Sequence, residues 1–321
     1  VETLVAAAGR PAVTVDGVAV EVTANVSSLD EAAVAVQNGA DGVGLLRSEF
    51  LFLDQQDAPG EDAQVAAYLA VAGALGGRRL TVRTLDAGGD KPVSFLAQTP
   101  EANPFLGRRG IRLSLQHPTL FKQQLRALVR TGREHPVSVL FPMVSTLDEL
   151  LAARRLLAEA AAEVGSPLGE LPHGLEVGVM VEVPAIALQA QAVAPHVDFF
   201  SIGSNDLTQY TLAAERGNAA VAHLADPLDP SVLRLIAGVV EAAGSQARVS
   251  VCGELAGEAA ATAVLVGLGV RELSMSPPAI PAVKDAVRSL SASDAEALAD
   301  LALDQHSARG VRALLDGRTT T

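Results

Sequence analysis

Residues 177–202 read VGVMVEVPAIALQAQAVAPHVDFFSI, and this stretch decides the fold. An apolar run rich in valine, 177–182, ends in a carboxylate, and Pro184 follows where the first turn of a helix tolerates proline. The helix predicted over 184–193 leads to a second apolar run at 199–202. Strand, helix and strand in this order predict a β/α/β unit with parallel, buried strands.

The same alternation extends along the whole chain of 321 residues. Strands are predicted at 20–25, 42–46, 80–85, 137–141, 177–182, 199–202, 249–252 and 272–275. Helices are predicted between them at 28–38, 62–75, 119–131, 146–164, 184–193, 230–243, 258–268 and 281–290. Eight such units favour an α/β fold of the closed (β/α)8 TIM barrel type over an open doubly wound sheet. The open sheet normally has a glycine-rich loop after its first strand, whereas residues 25–28 are NVSS.

The barrel is expected to form one domain over 1–321. Residues 1–17 are expected to be a lead-in arm, and residues 310–321 a tail that frays at its end. A long connection at 87–117 is rich in Gly, Pro and Arg, and long loops on rigid scaffolds are often functional. The chain begins with Val rather than Met, which we take as a weak indication of a fragment.

Composition excludes several classes of partner. The formal net charge is -13, with 24 basic and 37 acidic residues and no basic run, so we expect neither nucleic acid nor membrane as a partner. The apolar stretches are too short or too interrupted to cross a bilayer. The single cysteine excludes a disulfide within the chain, and with no signal peptide visible a cytoplasmic location is expected.

Polar side chains follow the predicted strands at the edge where barrels of this kind have their active sites. The strand-end residues are Asn25, Arg47, Arg83 with Asp86, Glu182, Asn205 with Asp206, Cys252 with Glu254, and Ser274 with Ser276. The exception is Met143, after the strand at 137–141. This pattern predicts a site, although strand ends are also simply where solvent begins.

Arginine is the most informative residue type at this edge. The candidates are Arg47, Arg83, Arg109, Arg112 and Arg216. A guanidinium suits bidentate binding of phosphate or carboxylate, so a cluster of them could hold a small polyanion. The alternative is that each pairs with a carboxylate of the chain, for which Glu49, Asp86 and Asp90 are available.

Two carboxylates and one thiol complete the candidate chemistry. Glu182 and Asp206 follow neighbouring strands, and a pair of carboxylates near a phosphate-binding group is typical of Mg²⁺ sites. Zinc is disfavoured because the six histidines are scattered and no C-x-x-C occurs. The alternative for Glu182 is a buried ion pair. Cys252 is either a buried small apolar residue or, beside Gly253, a proton donor.

Longer motifs resemble a known family. They lie at 39–52, 83–91, 103–112, 141–143, 178–185, 198–210, 215–218 and 251–257, and include GADGVGLLRSEFLF, RTLDAGGDK, NPFLGRRGIR and DFFSIGSNDLTQY. These segments resemble enzyme I of the bacterial sugar phosphotransferase system, a phosphoenolpyruvate–protein phosphotransferase. Pyruvate phosphate dikinase and phosphoenolpyruvate synthase share several of them. Ser48 and Ser204 stand where Thr is expected, and both keep the hydroxyl group.

The resemblance implies a barrel of the phosphoenolpyruvate/pyruvate-binding type and a role for each candidate. Phosphoenolpyruvate (PEP) would be bound by Arg47, Arg83, Arg109, Asn205 and Arg216, with Lys91 nearby. The Mg²⁺ ion would be held by Glu182 and Asp206. The thiol of Cys252 would protonate the methylene carbon of the enolate to give pyruvate.

The resemblance also implies partners. In enzyme I the phosphoryl group passes to a histidine of a separate N-terminal domain, then to the histidine-containing phosphocarrier protein for sugar uptake, and the enzyme is a homodimer. None of the six histidines lies in the Thr-Ser-His-like segment of that acceptor, so we expect this chain to lack the N-terminal domain and to complete no transfer alone.

Three alternatives stay open from the sequence. The chain could be the corresponding domain of another PEP-utilising enzyme, of the pyruvate phosphate dikinase or PEP synthase type. It could be a Mg²⁺-dependent 2-oxo acid lyase, although the number of arginines exceeds what one carboxylate needs. It could also be a metabolite-sensing dimerisation module.

Overall fold

Eight parallel strands close into a barrel in the computed structural model, which describes residues 7–53, 55–88, 93–96 and 101–318. In chain order the strands are β1 (Ala12–Val13), β2 (Ala19–Val26), β3 (Val43–Arg47), β4 (Leu80–Arg83), β5 (Val137–Phe141), β6 (Glu176–Val181), β7 (Phe199–Gly203), β8 (Arg248–Cys252) and β9 (Glu272–Met275). Each strand from β2 to β9 pairs with the next one, and β9 pairs back onto β2. The predicted (β/α)8 barrel is therefore confirmed.

Helices connect successive strands and cover the barrel. They are α1 (Leu29–Gln37), α2 (Glu61–Ala74), α3 (Ile111–Gln116), α4 (Pro118–Gly132), α5 (Leu147–Glu163), α6 (Pro184–Leu188), α7 (Ala190–Val193), α8 (Ser204–Leu212), α9 (Pro230–Ala243), α10 (Thr262–Gly267), α11 (Ile280–Ser289), α12 (Ala292–Leu303) and α13 (Ala308–Arg318). The helix predicted over 184–193 is divided at Gln189, and the one predicted over 258–268 begins only at Thr262, after a 3-10 turn.

Local signals explain where several helices begin. The Ser28 side chain accepts a hydrogen bond from the backbone N–H of Glu31 at the start of α1. Thr146 and Glu149 form a capping box at the start of α5, each side chain accepting from the other residue's backbone N–H. Asp229 caps α9 with its side chain, which accepts the backbone N–H of Ser231, and Pro230 lies in the first turn.

The apolar core has two parts, because successive residues of a strand face opposite sides of the barrel wall. The outward side chains of the strands pack against the helices in one large cluster built mainly from Val, Leu and Ala. A small separate cluster lies inside the barrel and consists of Leu45, Leu140, Met180, Phe199 and Cys252. The strands also carry buried polar side chains, namely Thr23, Thr81, Ser138, Ser201, Ser250 and Ser274.

Two terminal segments differ from expectation. Residues 308–318 form the helix α13, so the expected tail at 310–321 is corrected for its described part. Val311 and Leu315 are buried one turn apart, which is the spacing of a packed helix face. Within the expected lead-in arm, β1 pairs antiparallel with β2.

The long connection after β4 contains a 3-10 turn at Pro104–Leu106 and the helix α3. Lys91 and Asp90 lie outside the described residues. Across the part of the chain that the structure describes, no helix combines the length and apolar character needed to span a lipid bilayer.

Candidate active site

One cavity of about 440 Å³ lies at the C-terminal ends of the barrel strands. Eight of the nine predicted site residues line it, and the ninth, Lys91, lies outside the described residues. The eight are Arg47, Arg83, Arg109, Glu182, Asn205, Asp206, Arg216 and Cys252. The barrel thus brings to one place side chains that come from five strand ends and two loops.

Glu182 is the most deeply placed carboxylate of the cavity. It directly follows β6 and is 1% exposed, and its Oε1 accepts the backbone N–H of Met143 at 2.6 Å. Met143 has a left-handed backbone, with φ of 56°. Met143, the strand-end residue without a polar side chain, therefore contributes its main-chain N–H as a donor to Glu182.

Burial, together with the negative charges of Asp206 and Asp86, raises the pKa of Glu182 to about 8. Because nearby arginines only partly offset these effects, a proton or a cation is needed to balance the charge at this position.

Arg109 joins two carboxylates of the site. Its guanidinium donates to both oxygens of Asp86, at 3.1 and 3.0 Å, and to both oxygens of Asp206, at 3.2 and 3.1 Å. Burial disfavours the charged form, but the two carboxylates more than offset this and hold the pKa of Arg109 above its usual value. Arg109 also lies 5.9 Å from the Phe105 ring.

Arg83 is the second buried guanidinium. It pairs with Glu49 and, at 3.2 Å, with Asp86. The ion pairs foreseen as the alternative for the arginines are therefore present for Arg83 and Arg109. The Nε of Arg83 is nevertheless a buried donor with no hydrogen-bond partner among the described residues.

The other two arginines lie at the mouth. Arg47 is exposed at the end of β3 and forms no ion pair with any described residue. Arg216 is half exposed, and its Nη1 lies 3.8 Å from Oε1 of Glu254. Asn205 exchanges two hydrogen bonds with Glu254, from its amide at 3.4 Å and from the Glu254 backbone N–H at 3.2 Å. These groups remain accessible to an anion that enters the cavity.

Cys252 packs in the interior cluster and also lines the cavity, a position that is compatible with either predicted role. Its Sγ lies 3.2 Å from the Ser201 hydroxyl. Burial raises the pKa of the thiol to about 11. At neutral pH the sulfur therefore carries its proton, as a proton donor must.

Sequence reasoning gave too small a part to Asp86 and missed Tyr210. Asp86 is fully buried and pairs with both internal arginines, and its position three residues after Arg83 was the available signal. The Tyr210 hydroxyl donates to the Phe105 carbonyl at 2.5 Å, which ties the loop of Arg109 to α8. No sequence pattern indicated that contact.

The donor set fits Mg²⁺. Glu182 and Asp206 offer carboxylate oxygens in one cavity, and their mutual repulsion is what a cation would relieve. No group of three or more His, Cys, Asp or Glu side chains arranged as metal ligands occurs within the described ranges. A cation held there would complete its coordination shell with water and substrate oxygens.

The fold is a (β/α)8 barrel, and its mouth holds a cavity lined by arginine and carboxylate side chains. Residues 2–292 match the family of PEP-utilising enzymes, PEP-binding domain, and the chain belongs to this family. The resemblance seen in the sequence is thereby confirmed.

Similar proteins are longer than this chain. It is 47% identical to the multiphosphoryl transfer protein of Rhodobacter capsulatus, over 95% of this chain and 36% of that protein. It is 48% identical to a phosphoenolpyruvate-protein phosphotransferase of Haloferax volcanii, over 94% of this chain and 54% of that protein. The corresponding protein of Haemophilus influenzae is 42% identical over 95% and 53%. The chain thus spans about half the length of these phosphotransferases.

Among solved structures, a citrate lyase from Burkholderia xenovorans superposes with a TM-score of 0.52 at 17% identity, covering 97% of this chain and 93% of that one. At this level of identity the likeness shows the barrel fold alone.

Proposed function

We propose that this chain is the PEP-binding part of a phosphoenolpyruvate–protein phosphotransferase. The observation that carries the proposal is one cavity lined by four arginines together with Glu182, Asp206 and Cys252. Membership of the PEP-binding family supports it.

The arginines have different roles in PEP binding. Arg47, Arg216 and the Asn205 amide are accessible and bind the phosphate and carboxylate groups, each charge-assisted hydrogen bond contributing about 1.5–3 kcal/mol. The unpartnered Nε of Arg83 is a further donor that a substrate oxygen satisfies. Arg109 holds Asp206 and Asp86 in place. Lys91 is expected nearby.

Glu182 and Asp206 would hold Mg²⁺, which supplies charge neutralisation of the phosphate oxygens when it is bound. The rest of the chemistry is positioning and electrostatic stabilisation. The bond between phosphorus and the enol oxygen breaks as the phosphoryl group passes to an imidazole nitrogen of the acceptor. The enolate then takes the proton of the Cys252 thiol on its methylene carbon, which gives pyruvate and leaves a thiolate.

The acceptor belongs to a partner. We propose an N-terminal phosphohistidine domain and, beyond it, the histidine-containing phosphocarrier protein, in a cytoplasmic homodimer that serves sugar uptake. The greater length of the related phosphotransferases supports a further domain.

A pyruvate phosphate dikinase or PEP synthase type of enzyme would use the same cavity with a different acceptor, whereas a 2-oxo acid lyase would release pyruvate without any acceptor.

Calorimetric titration of PEP into the chain, with and without Mg²⁺, tests the proposal. We expect binding that depends on Mg²⁺, and loss of that dependence in Glu182→Ala. Glu176→Gln is a matched control, because Glu176 begins the same strand at the opposite end and pairs with Arg248. Absence of PEP binding under both conditions would contradict the proposal, and unchanged Mg²⁺ dependence in Glu182→Ala would contradict the metal assignment.

A further inference from the structure

We infer that Ser201 is a positioning residue for Cys252: its hydroxyl fixes the sulfur and stabilises the thiolate that remains after the proton has moved to the enolate. This inference rests on the proposed function, in which the Cys252 thiol is the proton donor.

The geometry places Ser201 next to the sulfur. Ser201 lies on β7 and is 1% exposed, and β7 pairs in parallel with β8 so that Gly203 is opposite Cys252. Ser201 and Cys252 therefore face the same interior, on adjacent strands and two residues apart in height. The Ser201 hydroxyl donates to Sγ at 3.2 Å.

The other groups around the sulfur do little to stabilise a thiolate, so the Ser201 hydroxyl is the important donor. Cys252 belongs to the interior apolar cluster with Leu45, Leu140, Met180 and Phe199, whose side chains cannot donate a hydrogen bond to a thiolate. The charged groups that act on it oppose each other, since Glu182 disfavours a thiolate while Arg83 and Arg47 favour it. Among the described residues, Ser201 makes the one side-chain hydrogen bond to the sulfur.

The chemical step explains what this hydrogen bond contributes. The S–H bond breaks, its electron pair stays on sulfur, and a C–H bond forms at the methylene carbon. A hydroxyl that donates to sulfur leaves the thiol proton free to point into the cavity, and its hydrogen bond becomes charge-assisted once the thiolate forms. An interaction that is stronger after proton transfer than before it accelerates the transfer.

The other interior serines supply a matched control. Ser250 is the register partner of Ser201 on β8, is equally deep in the barrel, and bonds to the Phe200 carbonyl at 3.3 Å rather than to sulfur. Replacing either serine by alanine removes the same atom at the same level of the interior, so a general packing effect appears in both variants.

The first measurement is the rate at which methyl methanethiosulfonate modifies the thiol between pH 7 and 10, followed by mass spectrometry. Cys252 is the only cysteine, so the signal has one source. The modification rate follows the thiolate fraction. Ser201→Ala is expected to slow it about tenfold, the effect of losing one hydrogen bond to a charged group. Ser250→Ala is expected to match the original chain. Equal rates in both variants would overturn the inference.

The second measurement runs the protonation step in reverse. With pyruvate and Mg²⁺ in D2O, exchange of the pyruvate methyl protons is followed by NMR, with Cys252→Ser as the blank. Ser201→Ala is expected to slow exchange about tenfold without changing pyruvate affinity. No exchange in the original chain would contradict the role of Cys252 in the proposed function, whereas exchange that is unaffected by Ser201→Ala would contradict only this inference.

Discussion

Two kinds of arginine occupy the cavity. Arg83 and Arg109 are buried and neutralised by carboxylates of the chain, whereas Arg47 and Arg216 lie at the mouth and keep most of their donors for a ligand. Removing one member of a buried pair leaves an uncompensated charge, which commonly costs about 3–5 kcal/mol. Arg83 and Arg109 therefore serve mainly as scaffold, with the Nε of Arg83 left for a substrate oxygen, and Arg47 and Arg216 provide the accessible part of anion binding.

Replacement of Cys252 by Ser separates binding from chemistry. The hydroxyl is close to the thiol in size but is a far weaker acid, so PEP affinity is expected to stay unchanged. Pyruvate formation, reconstituted with a separate phosphohistidine domain, is expected to fall at least tenfold. Calorimetry measures the PEP affinity, and a pyruvate assay measures the rate of pyruvate formation. Loss of PEP binding would identify Cys252 as a packing residue instead.

Replacement of Glu182 by Gln tests the charge balance without metal. The folded pKa of about 8 exceeds the ordinary value of 4.5, so the folded chain keeps a proton that the unfolded chain releases between these pH values. The proton held by Glu182 therefore contributes to the free energy of unfolding. This contribution is fully present below about pH 4.5 and is lost as pH rises toward 8, by at most about 1.4 kcal/mol per pH unit.

The measurement is urea unfolding of metal-free protein at pH 5, 6, 7 and 8. The original chain is expected to lose stability relative to Glu182→Gln as pH rises. A difference between the two proteins that does not change with pH would contradict the raised pKa.

At the scale of elements, α13 holds the loop that carries Arg216. Arg312 of α13 forms a bidentate pair with Asp226, at 2.7 and 2.9 Å, and contacts Glu258 at 2.6 Å. Asp226 belongs to the α8–α9 connection, and Glu258 follows β8 by a few residues. A helix remote from the cavity thus joins two of the segments that form its wall.

Replacement of Arg312 by Ala is expected to reduce the free energy of unfolding by about 1 kcal/mol, because the pairs are partly exposed and screened by solvent. Arg309→Ala is the matched control on the same helix, since Arg309 is exposed and forms no ion pair with a described residue. Urea denaturation checks both variants. Equal stabilities would mean that the pairs with Asp226 and Glu258 contribute nothing measurable.

For the whole molecule, the two ends of the barrel differ in how their charges are used. At the N-terminal end of the strands, Arg79 pairs with Glu272 at 2.6 Å and with Glu21 at 2.9 Å, and Arg248 pairs with Glu176 at 2.7 Å. At the C-terminal end, Arg47 forms no ion pair with a described residue, and burial together with Asp206 and Asp86 raises the pKa of Glu182. Mutually satisfied charges are typical of structure, and unsatisfied ones of a binding site.

The chain alone is expected to bind PEP without becoming phosphorylated on histidine. Incubation with phosphorus-labelled PEP and Mg²⁺, followed by an acid-lability test of the label, checks this. Transfer of label is expected only after a phosphohistidine domain is added. Histidine phosphorylation of this chain by itself would show that the acceptor lies among its own six histidines.

Sizing chromatography with and without PEP and Mg²⁺ would measure the proposed homodimer.

The sequence by itself determined the barrel and identified eight of the residues that line the cavity. Apolar runs alternate with helical segments at local spacing, and parallel strands necessarily gather their C-terminal ends at one mouth. Only the tertiary structure decided which arginines are neutralised, because the partners of Arg109 lie 23 and 97 residues away in the chain. It also decided that Ser201 meets Cys252, 51 residues later, and that 308–318 packs as a helix. Contacts of this kind depend on strand register and side-chain direction, which local pattern does not encode.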